Sequence, residues 1–359
     1  MSERLLKIII YTAGAFCLFA FIAIRSLPVL NSVLVEKIIP EHWEFTKYGD
    51  LYYFNYISHF KEDMPTPIRK YRLSEKHPDP SEAEILIFGD SFLDFSRQVT
   101  LPERLNDTLD ERVFYHRFLS PQQSNPFCVL SEYDIGPGDP KIVIYEAVER
   151  NIPFKFDQPY SYSLCDGDMA SKNSKVDKIA SMVFPANMEE MYRQLLKGSV
   201  FTTDLFALSS TMKFNMFGYI SSQTPVYKTG EEPWLFFDKQ LDDEPGSYYY
   251  DYSLEQIERY CDNIAHMSEV LEETMNMKLV FLPLPNKYTL YHTVVNNDPY
   301  FEFLPLLYAG LRQRNVTCVE VYEDFLHSEE VLYYGTDTHW NKKGVDITLH
   351  KLIETINAL

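Results

Sequence analysis

Four short apolar runs, each followed by turn or helix signals, restrict this chain more than any other feature. They are Glu84-Ile85-Leu86-Ile87-Phe88, Lys141-Ile142-Val143-Ile144-Tyr145-Glu146, Lys278-Leu279-Val280-Phe281-Leu282-Pro283 and the stretch from Val316 to Val321. Each has the length and the branched or aromatic content of a buried strand. Helical patterns fall between them. Residues Pro102 to Asp110 read as a helix, with a short strand at Val113 to His116. Ser253 with Gln256 three residues on forms a capping-box signal, and Leu254, Ile257, Cys261, Ile264, Met267 and Leu271 recur at helical spacing. A helical stretch is expected from the end of the third run to about Arg314. Asn341 starts a last helix carrying Val345, Leu349, Leu352, Ile353 and Ile356. Strands alternating with helices of this length predict an α/β fold, a parallel sheet with helices on both faces.

Residues 82–359 are taken as this domain, interrupted at about 152–250, where the alternation lapses. That interval reads as an insertion or cap, with a helix expected around Asn187 to Lys197 and an acidic, aromatic stretch from Leu241 to Tyr252. Ahead of the domain, residues 36–81 read as a charged, proline-containing connector. At the amino end, Ile8 to Ile24 is uncharged and mostly apolar, flanked by Arg4 and Lys7 before it and Arg25 after. As a helix it spans about 25 Å against a bilayer core of roughly 30 Å, and the flanking cations can snorkel across the difference. Residues 1–35 are therefore expected to form an uncleaved transmembrane anchor. Arg4 and Lys7 favour a cytoplasmic amino terminus, which leaves the remaining chain outside the cytoplasm.

The net charge of −19 argues against nucleic acid or anionic lipid as the main partner, since both require a basic surface. Cys17 lies in the anchor; Cys128, Cys165, Cys261 and Cys318 are scattered without paired metal spacing. Two disulfides and four buried thiols both remain open.

The chemistry concentrates at the two ends of the domain. Gly89-Asp90-Ser91-Phe92 follows the first strand directly, so Ser91 projects at the carboxyl edge of the sheet, where open α/β folds place their ligands. Gly335-Thr336-Asp337-Thr338-His339-Trp340 precedes the last helix. Serine is a weak nucleophile until a base takes its proton; His339 is the candidate base and Asp337 the carboxylate that orients it. Asp90 is read as organising the serine turn. Asp337 and His339 alone are too few to hold a metal, and no cofactor is called for.

These segments resemble the SGNH (GDSL-type) hydrolase superfamily, and within it the branch of periplasmic alginate-type O-acetyltransferases. Gly89-Asp90-Ser91-Phe92 resembles the nucleophile block. Tyr145-Glu146-Ala147-Val148-Glu149-Arg150-Asn151 resembles that branch's strand ending in Glu-Arg. Pro285-Asn286-Lys287-Tyr288-Thr289-Leu290-Tyr291 resembles its Pro-x-Lys-x-x-x-Tyr segment, and Asp337-Thr338-His339-Trp340 its Asp-x-His-Trp block. Plain esterases of the superfamily more often carry Asp-x-x-His. Two features depart from the branch: the Asp-x-His-Trp block follows the serine block instead of preceding it, and neither a glycine block nor a Gly-x-Asn-Asp block stands between residues 113 and 150.

The resemblance implies a flavodoxin-like parallel sheet and a single-pass protein of the inner membrane with a periplasmic domain that O-acetylates a polysaccharide. A separate membrane-bound O-acyltransferase is the implied acetyl supplier. A carbohydrate acetyl esterase using the same residues, and a non-catalytic scaffold or glycan-binding subunit, are the alternatives. The backbone N–H of Ser91 is the first candidate for the oxyanion hole, completed by Arg150 or Asn151; Arg150 paired to Glu146 or Glu149 is the structural alternative. Lys287 and Tyr291 either bind substrate or brace a loop. Trp340 is either a sugar-stacking platform or part of the core.

Overall fold

The computed structural model describes residues 48–65, 80–94, 99–109, 111–118, 124–138, 141–161, 165 and 203–359. Chain order runs from a short helix α1 (Tyr52–Asn55) to β1 (Ile85–Gly89), α2 (Leu101–Leu109), β2 (Val113–Arg117), α3 (Pro126–Glu132) and β3 (Lys141–Val148). Next come α4 (Ile152–Phe156), α5 (Thr203–Phe217) and a hairpin of β4 (Val226–Lys228) with β5 (Trp234–Phe236). The alternation returns with α6 (Leu254–Met275), β6 (Met277–Leu284), α7 (Lys287–Tyr291), α8 (Phe303–Gln313), β7 (Thr317–Cys318), α9 (Tyr322–Leu326) and α10 (Lys342–Asn357).

Five strands form one sheet in the order β2-β1-β3-β6-β7, with every pairing parallel. Counted within this sheet alone the order is 2-1-3-4-5, the flavodoxin-like arrangement, whose direction reverses between the first and third strands. Register places Ile85 opposite Val113 on one side and Ile142 on the other, while Ile144 faces Val280. All of β1 is buried, as is β3 from Val143 onward, which is why these strands read as continuous apolar runs. Helices cover the sheet. In α6 the Ser253 side chain accepts from the Gln256 N–H and Gln256 returns a bond to the Ser253 N–H, so the expected capping box forms. Its stripe of Ile257, Cys261, Ile264, Met267 and Leu271 is buried in the main core.

Three elements differ from expectation. The run from Val316 to Val321 pairs through Thr317–Cys318, with the Val319 N–H donating to the Phe281 carbonyl at 2.8 Å: it is an edge strand shorter than expected, and the Val319 and Val321 side chains are buried in the core. The expected helix up to Arg314 is two helices, α7 and α8, parted by the Asn296-Asn297-Asp298-Pro299 turn sequence. Within the expected connector, Tyr48–Phe60 folds onto the domain; Tyr48, Leu51, Tyr52, Tyr56, Ile57 and Phe60 form a buried cluster with Leu235 of β5.

The anchor expected over residues 1–35 and the helix expected around Asn187 to Lys197 lie outside the described residues. Among the described residues no helix is long and apolar enough to cross a membrane. Cys128 on α3 is joined to Cys165 by a disulfide, and Cys261 and Cys318 are free thiols.

Candidate active site

The serine turn is built by close approach. A Cβ at Gly89 would lie 2.4 Å from Leu93 Cδ1 and 2.6 Å from Glu146 Oε2, so β1 reaches its turn in contact with β3 only because this residue has no side chain. Three neighbours then fix Asp90. Its N–H donates to Glu146 Oε2 at 2.8 Å, Tyr115 donates to its carbonyl at 3.0 Å, and Asn151 Nδ2 donates to its carboxylate at 3.0 Å. The same carboxylate accepts the Phe92 N–H at 3.0 Å, closing the turn around Ser91. Burial raises the Asp90 pKa, but the Lys155 and Arg150 cations outweigh it and the net shift is downward. Glu146 is pushed up to about 8 by burial and by the Asp90 charge.

His339 arrives from the opposite end of the sequence. Its Nε2 lies 2.8 Å from Ser91 Oγ, and its Nδ1 lies 2.6 Å from Asp337 Oδ1. With the proton on Nδ1 directed at Asp337, Nε2 is left to accept from the serine hydroxyl. The two-residue step works because Asp337 Oδ1 also accepts the His339 backbone N–H at 2.9 Å, folding the carboxylate back over the ring. Burial pulls the imidazole pKa down; the Asp337 carboxylate, its hydrogen bond and the Asp50 carboxylate more than reverse that, so the net shift is upward. For Asp337, burial raises the pKa and His339 lowers it further, for a net downward shift. Trp340 Nε1 donates to the Phe92 carbonyl at 2.9 Å and so ties the histidine block to the serine block.

The remaining expected site residues separate into two groups. Lys287, at the start of α7, donates to the carbonyls of Gly335 and Asp337 at 2.7 and 2.9 Å. Burial pulls its pKa down to about 8. Tyr291 accepts the Leu332 N–H at 2.8 Å. Both therefore brace the loop before His339. Lys287 and Trp340 are fully buried, and of the two roles expected for each, their burial favours loop bracing for Lys287 and a place in the core for Trp340.

Arg150 and Asn151 stand at the end of β3, beside the end of β1, where the strand order reverses. They belong to a cleft of about 410 Å³ that is also lined by Phe154, Phe237, Lys239 and Asp242. Ser91 and His339 do not line it; Arg150 and Asn151 connect the two places. Arg150 pairs with neither Glu146 nor Glu149. Its Nη1 is buried with no hydrogen-bond partner among the described residues, and its guanidinium carbon lies 5.5 Å from the Phe92 ring centre. Glu149 is spent elsewhere, accepting from the Asn286 N–H, Thr289 Oγ1 and Tyr300 OH. Among the described residues, the Ser91 backbone N–H donates to nothing and so stays available to an oxyanion.

Two acidic residues at the site were not anticipated. Asp50 and Glu62, from the expected connector, hold the loop at 335–339 through Thr338 and through Gly335 and Thr336. Only the Gly49-Asp50 dipeptide, a turn signal, hinted at them. Oxygen and nitrogen atoms of Asp50, Asp337 and His339 lie within 4.8 Å of one another, close enough for a metal to be considered. The facing atoms of Asp337 and His339 are already hydrogen-bonded to each other, which favours an oriented base over a cation site.

A parallel sheet in this order, with a serine after its first strand and Asp-x-His before its last helix, is consistent with an SGNH hydrolase-like domain. Residues 228–359 match the family model described as SGNH hydrolase-like domain, acetyltransferase AlgX. The match includes Lys287, Tyr291, Asp337, His339 and Trp340, and Ser91 and Arg150 lie ahead of it. No curated protein matches the chain. The matched domain is consistent with an acetyltransferase or an esterase.

Proposed function

We propose that this protein is a membrane-anchored, extracytoplasmic O-acetyltransferase that moves acetyl groups onto polysaccharide hydroxyls through an acyl-enzyme on Ser91. The hydrogen-bonded line from Ser91 Oγ through His339 to Asp337 carries the reading. Ser91 Oγ attacks the acetyl carbonyl of the donor while His339 Nε2 takes its proton. The negative oxygen is met by the Ser91 N–H and, as the intermediate forms, by the unpartnered Arg150 nitrogen. Collapse expels the donor's leaving group, to which His339 returns the proton. A sugar hydroxyl then attacks the acetyl-serine, losing its proton to His339, and departs as the acetate ester as His339 passes that proton to the leaving Ser91 Oγ.

The match to the domain of an acetyltransferase favours transfer over hydrolysis. The Cys128–Cys165 disulfide supports an oxidising compartment, hence the periplasmic face of the inner membrane, to which the apolar run at residues 8–24 would anchor the chain. The cleft beside Arg150 and Asn151 is of a size for a sugar unit. A membrane-bound O-acyltransferase is the partner that fits as acetyl supplier.

The test incubates the protein with an acetyl ester donor and an unmodified oligosaccharide and measures the sugar by mass. Acetylated sugar is expected, and its loss in Ser91→Ala. Acetate release without transfer makes the protein an esterase. Polymer acetylation that persists in cells carrying Ser91→Ala but disappears on deletion of the whole protein makes it a scaffold.

A further inference from the structure

The loop carrying Asp337 and His339 is held by a segment that lies nearly three hundred residues earlier in sequence. Asp50 makes three of its contacts. Its backbone N–H donates to Asp337 Oδ2 at 2.8 Å, which leaves Oδ1 to the imidazole. One carboxylate oxygen accepts the Thr338 N–H at 2.8 Å, and the other accepts Thr338 Oγ1 at 2.5 Å. That second oxygen also lies 3.8 Å from His339 Nδ1, and Thr338 Oγ1 lies 3.3 Å from the same nitrogen. Two carboxylates thus flank one imidazole edge. Nearby, the N–H groups of Leu51 and Tyr52 donate to the Thr336 carbonyl, and Glu62 accepts from the Thr336 N–H and hydroxyl. A Cβ at Gly49 would lie 2.1 Å from the Thr336 carbonyl oxygen, so the segment seats this closely only with glycine there.

We infer that Asp50 is a positioning residue for His339: its carboxylate locks Thr338 in place and supplies a second negative charge behind the imidazole. When Ser91 gives up its proton the ring becomes a cation, and an anion at this distance stabilises that form. The other charged groups facing the ring among the described residues are Asp337 on its own loop, Asp90 from the serine turn and Arg150 from the end of β3. Lys287 and Glu62 stand in the next layer. Asp50 acts through His339 and need not touch substrate. The inference rests on the proposed role of Ser91 and His339.

The full-length protein is reacted with a fluorophosphonate ester, which captures an activated serine and requires neither acetyl donor nor glycan. The labelling rate is followed against pH. Asp50→Asn keeps the shape and most of the Thr338 contacts but removes the charge, so the midpoint of the rate profile is expected to fall by about 0.5–1 pH unit, with a severalfold lower plateau. Asp50→Glu, which returns the charge, is expected to bring the midpoint back toward its original position. A purely structural residue would lower the rate without moving the midpoint. If Asp50→Asn leaves the midpoint unmoved while Ser91→Ala is silent, the inference is overturned and the Ser91 assignment stands. If Ser91→Ala labels as fast as the unaltered protein, the assignment beneath it fails. Thr338→Val cuts the hydroxyl link alone and guards against an Asp50 variant that does not fold; a severalfold slower plateau is expected, and an unchanged rate overturns the inference.

Discussion

Ser91 gives up its proton only when His339 is neutral, so the affinity of the imidazole for that proton sets the working pH. The net upward shift of His339 places the acid limb of the reaction above the ordinary histidine value of 6.5. The rate of Ser91 acylation by an acetyl ester is therefore expected to rise with pH through a midpoint above 6.5; a midpoint at or below it would contradict the Asp337–His339 geometry. His339→Ala is expected to cost at least about 100-fold in kcat/KM with the same ester. Glu146 governs stability in a different window. Its folded pKa of about 8 stands above the ordinary 4.5, so between these values the folded protein holds a proton that the unfolded chain has released. The stabilisation is complete below 4.5 and lost as pH rises through 8. Glu146→Gln retains an acceptor for the Asp90 N–H and should remove that slope, leaving the variant at least as stable as the unaltered protein at pH 8 in thermal unfolding. Ser91, Asp337 and His339 were legible in the sequence because each sits in a short local block with its own turn or cap signal. Asp50 was not, because its partners are 287 and 288 residues away and no local pattern encodes such a contact.

At the level of elements, the buried strands and amphipathic helices could be read directly, since burial on both faces or on one stripe leaves a periodic record. The edge could not. Thr317–Cys318 pairs on one side alone, and beyond the Val319 N–H, which donates to the Phe281 carbonyl, the chain leaves the ladder. The short α7 was likewise merged with α8, because a five-residue helix has no period of its own. Pairing of cysteines was also beyond the sequence, where Cys128 and Cys165 have no distinguishing neighbours. Their disulfide closes a loop of 37 residues and joins α3 to the start of the insertion. On loop entropy it is worth about 3–4 kcal/mol. Cys128→Ser is therefore expected to lower the unfolding temperature by several degrees, and a reductant should do the same to the unaltered protein but not to the variant. Reductant sensitivity equal in both would remove the disulfide as the cause. The Ser253 cap is worth about 1 kcal/mol, so Ser253→Ala should lower stability by less than loss of the disulfide.

Across the whole molecule, the domain boundary expected at residue 82 divides what the fold joins. The described part of the expected connector contributes a buried aromatic cluster against β5 and two carboxylates to the His339 loop. Fully burying side chains as large as Leu51, Ile57 and Phe60 is worth roughly 1.5–3 kcal/mol each before the entropy of ordering the chain. Proline and charge content made this stretch look like a linker, although Tyr48, Leu51, Tyr52, Tyr56 and Phe60 stand three and four residues apart, the spacing of one helix face. Truncation distinguishes the two views. A chain beginning at Tyr48 discards the apolar amino terminus but keeps every described contact to the loop, and it is expected to label at Ser91 with fluorophosphonate at close to the full-length rate. A chain beginning at Pro80 keeps Ser91, His339 and Asp337 but loses Asp50, Glu62 and the aromatic cluster. It is expected to label at least about tenfold more slowly, since the base is then held by Lys287, Tyr291, Trp340 and the Leu235 N–H without the Asp50 and Glu62 carboxylates. Equal labelling of the two chains would mean that the loop holds its own geometry and that residues 48–65 are a linker after all.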